Sequence, residues 1–266
     1  MENKSKELKV AIKAALEAGK ILEKYFETEI IKEIKEDTSI TTLADKESED
    51  IIKKIILEVF PDHSIMGEET GMTENESDYI WYIDPLDGTR NFSNGIPFFA
   101  VSIALTHQNE IKVGVIYNPT TDSLFYTEKG KGAYWNHHKM HVSKDNAKRC
   151  IVTVASGTKP LDTKLRRNLM HDLPGNVVSS VRDFGATAVD LAYVARGNTE
   201  ADIKFGLHIY DFAAGILLVQ EAGGKVTTTE GKPWKLPETS FIASNGVFHD
   251  ALVEEVKKQK EKLNIS

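Results

Sequence analysis

The segment from Tyr79 to Thr127 constrains the fold more than any other part of the chain. It holds four apolar, aromatic or β-branched runs: Tyr79–Ile83, Phe98–Thr106, Ile111–Tyr117 and Ser123–Thr127. Asn118-Pro119 supplies turn chemistry between the last two. Runs of this length predict neighbouring strands of one sheet. A sheet this apolar has to be covered, and the preceding sequence offers two covers. The first 27 residues predict a helix whose stripe is Leu8, Ile12, Ala15, Leu16, Ile21, Leu22, Tyr25 and Phe26. A second helix is expected from Asp45 to Phe60, with Ile51, Ile52, Ile55, Ile56 and Val59 on its buried face and Pro61 ending it. Ser64 to Gly67 predicts a short strand between that helix and the sheet.

The second half alternates. Strands are expected at Ile151–Ala155, Ala201–Phe205 and Phe241–Ala243. Helices are expected at Asp162–His171, at Ala186–Ala195 ended by Gly197, at Asp211–Ala222 ended by Gly223-Gly224, and from Val247 onward. The order predicts an α/β (α+β) chain with a mixed, antiparallel first half and an alternating second half.

Composition narrows the function classes. The net charge is −7, and no basic face points to a polyanion partner. Lys164, Arg166 and Arg167 read as a solvated helix face. Cys150 is the only cysteine, so an internal disulfide and a Cys-rich zinc site are excluded. No apolar run reaches the roughly 18–20 residues that span a bilayer. The charged start, Glu2 to Glu7, has no signal-peptide core. The expectation is a cytoplasmic protein without a membrane or nucleic-acid partner.

Chemistry concentrates in acids placed at the ends of elements. Asp84-Pro85-Leu86-Asp87-Gly88-Thr89 follows the strand ending at Ile83. Its two carboxylates leave a strand end toward the same space, Pro85 stiffens the turn, and Gly88 permits close backbone approach. A short helix is expected from Thr89 to Asn94, and free N–H groups at its start suit a phosphate. Clustered carboxylates repel one another, and a hard cation relieves that. Oxygen donors without His or Cys favour magnesium over zinc. Two ions about 4 Å apart can hold both oxygens of an in-line phosphoryl displacement. Turn composition alone also explains Asp-Pro-x-Asp-Gly. Gly67-Glu68-Glu69 ends the short strand, either as metal donors or as a solvated loop. Asp211 and Asp45, in Thr41-Thr42-Leu43-Ala44-Asp45, open helices and could equally be caps.

Taken together in this order, Thr-x-x-Asp, Gly-Glu-Glu, Asp-Pro-Leu-Asp-Gly-Thr and Asp211-Phe-Ala-Ala-Gly resemble the inositol monophosphatase family of lithium-sensitive, magnesium-dependent phosphatases. Asn91-Phe92, Pro97-Phe98, Val101-Ser102-Ile103-Ala104, Gly114-Val115-Ile116-Tyr117, Lys129-Gly130-Lys131-Gly132-Ala133 and Glu221-Ala222-Gly223-Gly224 continue the likeness, which runs from about residue 30 to 245. The resemblance implies a layered αβαβα sandwich with a mixed first sheet and a smaller second one. It implies a half over residues 1–142 carrying most metal ligands, and a half over 143–266 supplying Asp211 and the substrate pocket. It implies two or three Mg2+ ions. Glu68, Asp84 and the Leu86 carbonyl would hold the first, and Asp84, Asp87 and Asp211 the second. A third would sit near Glu68 through waters. Glu68, Thr89 and Asp45 would be catalytic, with Thr89 bonded to Asp45 and orienting the attacking water. The Gly88 and Thr89 N–H groups would hold phosphate. Asp183, Gly185, Ala186, Thr187 and Lys204 would border the substrate.

Two departures from the family pattern stand out. Tyr210 replaces the usual Trp before Asp211, keeping an aromatic. Lys204 stands where members acting on inositol phosphates carry Glu, seven residues before Asp211. A lysine cannot accept hydrogen bonds from sugar hydroxyls. It is either a solvent-facing strand residue or a mark of a second anionic group on the substrate. Asp183 is an alternative acceptor. The expected activity is therefore hydrolysis of a small phosphorylated metabolite, inositol 1-phosphate first, by a homodimer. Fructose 1,6-bisphosphate or dual-specificity sugar phosphatase activity, histidinol phosphate and adenosine 3′,5′-bisphosphate are the alternatives within the class. Binding to transcription machinery is an alternative of another class, and a structural calcium module a third.

Overall fold

The structure, a computed structural model, describes residues 4–28, 32–34, 40–146 and 149–264. The start of the first predicted helix, residues 1–3, lies outside them. In chain order the elements are α1 (Lys6–Tyr25), β1 (Lys32–Ile34), β2 (Ile40–Thr42), α2 (Leu43–Leu57), β3 (Ser64–Gly67), β4 (Gly71–Thr73), β5 (Tyr79–Asp87) and α3 (Thr89–Phe92). They continue with β6 (Ala100–His107), β7 (Glu110–Asn118), a 3-10 turn (Pro119–Thr121), β8 (Ser123–Glu128), β9 (Ala133–Trp135), β10 (His138–Lys139), β11 (Ile151–Ser156) and α4 (Pro160–Asp172). The remainder are β12 (Ser180–Arg182), α5 (Thr187–Arg196), β13 (Ala201–Phe205), α6 (Ile209–Glu221), β14 (Lys225–Thr227), β15 (Phe241–Ser244) and α7 (His249–Lys262).

An eight-stranded sheet runs in the order β10-β9-β8-β7-β6-β5-β3-β4, and a five-stranded sheet in the order β12-β11-β13-β15-β14. The first is antiparallel apart from the parallel pair β3–β5. The second has parallel pairs β11–β12 and β11–β13 and antiparallel pairs at β15. Helices α1 and α2 cover one face of the large sheet, burying Ala11, Ala15, Leu22, Ile52 and Ile56 against Trp81, Ile83 and Ile103. Helices α5 and α6 fill the space between the two sheets. Helices α4 and α7 cover the outer face of the small sheet through Leu165, Leu169, Leu252 and Val256. The result is the expected αβαβα layering. With both faces covered, β6 is a continuous buried apolar run rather than an alternating one.

Local chemistry explains where the elements begin and how closely they pack. Ser5 Oγ accepts from Leu8 N at 3.1 Å and caps α1. At the start of α2, Asp45 Oδ2 accepts from Thr42 N at 2.7 Å. Asp45 therefore lies one turn inside a helix capped by Thr42, not at the cap itself. Helix α6 presses on β7 so tightly that a Cβ on Gly114 would stand 2.8 Å from the Ala214 carbonyl oxygen. The small residues Ala213-Ala214-Gly215 make that approach possible.

Candidate active site

Strand β5 delivers the first two carboxylates. Its register against β6 shifts between Asp84, which faces Ser102, and Asp87, which faces Ala100. This irregularity turns both acids toward one side of the strand end. Asp84 is 2% exposed and Asp87 8%. Asp84 Oδ1 accepts from Leu86 N at 3.0 Å, which fixes the turn around Pro85. Gly88 then adopts φ 91°, and a Cβ there would stand 3.0 Å from the Phe98 carbonyl oxygen and 3.1 Å from Ala186 Cβ. Glycine is required on both counts.

The start of α5 grips Asp87. Thr187 N donates to Oδ1 at 3.0 Å and Ala188 N to Oδ2 at 2.7 Å. These are orphan N–H groups of a helix N-terminus meeting a carboxylate. Asn91 ties the same two regions together, donating to the Phe98 carbonyl at 2.8 Å and to the Phe184 carbonyl at 2.7 Å. Thr187 is a buried backbone partner of Asp87 and Ala186 is buried against Gly88, while Gly185 and Asp183 remain on the surface. Asp183 pairs with Arg166 at 2.7 Å. Arg166, expected on a solvated face, is thus engaged with the loop before α5.

Asp211 sits in the first turn of α6, where its Oδ2 accepts from His208 N at 2.8 Å. The capping role and the site-facing role coexist in one side chain. Tyr210 beside it stacks on the His208 ring at 5.1 Å. Thr89 Oγ1 lies 3.1 Å from Asp45 Oδ1 and 3.0 Å from the Leu86 carbonyl oxygen. Glu68 follows β3, with its N–H on the Ile83 carbonyl at 3.1 Å.

A residue that sequence reasoning missed holds this last loop. Glu49, on α2, is wholly buried. Its carboxylate accepts from Glu69 N at 2.8 Å and Thr70 N at 3.1 Å, and also from the Thr70 hydroxyl. A Cβ on Gly67 would collide with it at 2.5 Å. The only available signal was an acid spaced with the apolar stripe of α2, which Lys46-Glu47-Ser48-Glu49-Asp50 disguises as a solvated run. Glu69 in turn accepts from Thr41 Oγ1 at 2.9 Å.

The electrostatics of the cluster are those of a cation site. Burial, then Glu68, Asp87 and Asp211, hold the Asp84 carboxyl well above the ordinary carboxylate range. Burial, then Glu68 and Asp87, do the same for Asp211. Burial pushes Asp87 up to about 7 against the opposing pull of the Ala188 N–H and Lys204. Asp45 is raised to about 6, chiefly by burial, although Thr42 donates to it. Four acids gathered at this cost fit a hard divalent cation with oxygen donors. Among the described residues, no three of these side chains stand as a closed ligand cage.

Lys204 overturns the solvent-facing reading. It is fully buried, with Nζ 2.6 Å from Asp190 Oδ2 and 3.1 Å from Asp202 Oδ1, and it is not among the described residues that line the cavity beside the acids. Every residue of β13 is buried, so a lysine there has no route to solvent and must find carboxylates. These partners hold its ammonium above the ordinary lysine range despite burial. Asp202 is further fixed by the Thr153 hydroxyl at 2.5 Å.

A cavity of about 670 Å³ opens beside the cluster, walled by Glu68, Asp211 and Tyr210 and by residues following β11 and β13. Strand-end carboxylates beside an open cavity, one of them held by a helix N-terminus, suit a hard cation. The comparisons with known proteins narrow that reading. Residues 3–261 match the model of the inositol monophosphatase family. A fructose-1,6-bisphosphatase/inositol-1-monophosphatase of Aquifex aeolicus is 40% identical over 98% of this chain and 99% of its own length. An inositol-1-monophosphatase of Mesorhizobium japonicum is 40% identical over 94% of this chain and 96% of its own. The crystal structure of the extragenic suppressor protein suhB from Bartonella henselae superposes with a TM-score of 0.88 at 37% identity, over 96% of this chain and 99% of that one. The chain belongs to the inositol monophosphatase family, a family of metal-dependent phosphatases. No helix among the described residues is long and apolar enough to cross a membrane.

Proposed function

We propose that this protein is a Mg2+-dependent phosphomonoesterase acting on inositol 1-phosphate or a closely similar sugar phosphate. The observation that carries the reading is the burial of Asp84, Asp87 and Asp211 in one acidic cluster with Glu68, where burial raises all three and the neighbouring carboxylates raise Asp84 and Asp211 further. Glu68, Asp84, Asp87, Asp211 and the Leu86 carbonyl would hold two or three ions. Bound there, Mg2+ supplies an activated water and neutralises charge on the phosphate. The chain's own residues do the rest. Asp45 holds the Thr89 hydroxyl at 3.1 Å, so Thr89 can pass a proton toward a carboxyl whose protonation range is already raised to about 6. The Gly88 and Thr89 N–H groups, at the start of α3, orient phosphate oxygens. The α5 N–H groups hold Asp87 in place. No side chain needs to form a phosphoenzyme.

The names of the relatives support both inositol monophosphate and fructose 1,6-bisphosphate as substrates of such chains. The test is phosphate release with and without Mg2+ from inositol 1-phosphate, fructose 1,6-bisphosphate, histidinol phosphate and adenosine 3′,5′-bisphosphate. Magnesium-dependent release from inositol 1-phosphate or the sugar bisphosphate is expected. Absence of release from all four, with a folded protein, overturns the reading.

A further inference from the structure

The cavity beside the acidic cluster is built at the carboxyl ends of two adjacent parallel strands, β11 and β13. Gly157 and Gly206 line it. Gly157 N donates to the Phe205 carbonyl at 2.9 Å, extending the β11–β13 ladder past the strand ends. A Cβ on Gly157 would stand 2.4 Å from the Gly206 carbonyl oxygen, so the two loops meet with no side chain between them. Thr158, Lys159, His208 and Thr239 line the cavity together with Glu68 and Asp211. The volume, about 670 Å³, is in the range that holds a whole small ligand, so it has room for more than the phosphate being cleaved.

The charge of that lining is the informative part. Among the described residues, Lys159 is the only lysine or arginine lining the cavity. It is exposed, and no ion pair is formed by it among the described residues. Two other cations of this half are paired elsewhere: Lys204 with Asp190 and Asp202, and Arg166 with Asp183. Arg182 donates to Ser180 Oγ and to the Val181 carbonyl. The acids of the wall, Glu68 and Asp211, are the proposed metal donors and are not free to accept sugar hydroxyls. The nearby Asp162 carboxylate packs against Gly206. An exposed lysine in the cavity lining, beside Thr158 and Thr239, suits an anion rather than a ring of hydroxyls, since an ammonium donates and cannot accept.

We propose that Lys159 is the specificity-determining residue of this site, receiving a second phosphate of the substrate. This rests on the phosphatase reading above. The preferred substrate class is then a phosphomonoester bearing a second phosphate, whose other phosphate lies at the acidic cluster.

The test compares kcat/KM for fructose 1,6-bisphosphate with kcat/KM for inositol 1-phosphate in the wild-type Mg2+ enzyme, Lys159→Gln and Lys159→Arg. The ratio of the two is expected to fall about tenfold in Lys159→Gln, through KM for the bisphosphate, equivalent to about 1.4 kcal/mol. Lys159→Arg should keep the ratio within about twofold. Raising ionic strength should lower the wild-type ratio and leave the Lys159→Gln ratio flat. An unchanged ratio in Lys159→Gln, or a wild-type enzyme that cleaves inositol 1-phosphate and not the bisphosphate, overturns the subsite while leaving the phosphatase reading standing. A wild-type enzyme that cleaves neither overturns both.

Discussion

Replacing Lys204 by Met should be among the most destabilising single changes in the protein, although sequence alone would rank it with surface lysines. The ammonium lies 2.6 Å from Asp190 and 3.1 Å from Asp202, and all three residues are 0% exposed. Methionine matches the stem but leaves both carboxyls without a cation. Breaking a buried ion cluster by removing one partner costs about 3–5 kcal/mol. Burial pushes both Asp190 and Asp202 up against the pull of the lysine, so without the ammonium each carboxyl takes up a proton more readily, which softens the loss. We therefore expect about 3 kcal/mol at pH 7. The pH dependence has a definite sign. In the variant both carboxyls have folded-state ranges above their unfolded ones, so the folded state binds more protons and stability falls as pH rises. The deficit should shrink between pH 7 and pH 5. Urea unfolding at both pH values measures it. The triple variant Lys204→Met with Asp190→Asn and Asp202→Asn should recover most of the loss, because no charge is then stranded. A single variant within about 0.5 kcal/mol of wild type at pH 7, the range of ordinary surface changes, would refute the reasoning.

Thr89→Ala removes the hydroxyl between Asp45 and the Leu86 carbonyl, and should lower kcat for phosphate release by about 10²-fold or more. Thermal unfolding should move little, since Thr89 is half-buried, so a matched loss of activity and stability would argue against a catalytic hydroxyl. His249 is buried between Ser244 Oγ at 2.7 Å and Thr227 Oγ1 at 2.8 Å, and burial lowers it to about 4. Its unfolded state binds the proton first, so stability should fall as pH drops from 6.5 to 4. The wild-type urea midpoint should drop more steeply over that window than that of His249→Asn, and parallel slopes would remove His249 from the account.

Much of the fold was legible because its signals are local. Strand β5 announced itself by Tyr79-Ile80-Trp81-Tyr82-Ile83, and the chain after it by a proline and a glycine whose conformations the acidic turn needs. The stripes of α1 and α2 predicted which faces would be buried. The carboxylates of the site were also legible, since each stands at the end of a recognisable element. What was hidden depends on contacts between distant elements. Glu49 looks like part of a solvated charge run until the Gly67 backbone is placed against its carboxylate. Asp202 and Lys204 share one face of β13 by the two-residue period of a strand, which was a readable hint of an internal pair. Asp190, which completes the cluster, comes from α5, and no local pattern links it to Lys204. The short strands β4, β12 and β14 were missed for a related reason: three residues leave no periodicity to read, and their pairing is set by the neighbouring strand.

The measurement closest to the central claim is Mg2+ binding by titration calorimetry, read alongside phosphate release from inositol 1-phosphate, for wild type and Asp84→Asn. Asp84 is raised by burial and by all three of the other carboxylates. The account predicts that wild type binds Mg2+ more tightly at pH 8 than at pH 6, because protons and metal compete for the same raised carboxyls. It predicts that Asp84→Asn folds, loses this binding and releases no phosphate. A folded Asp84→Asn protein that binds Mg2+ and turns over like wild type would contradict the assignment of the metal centre.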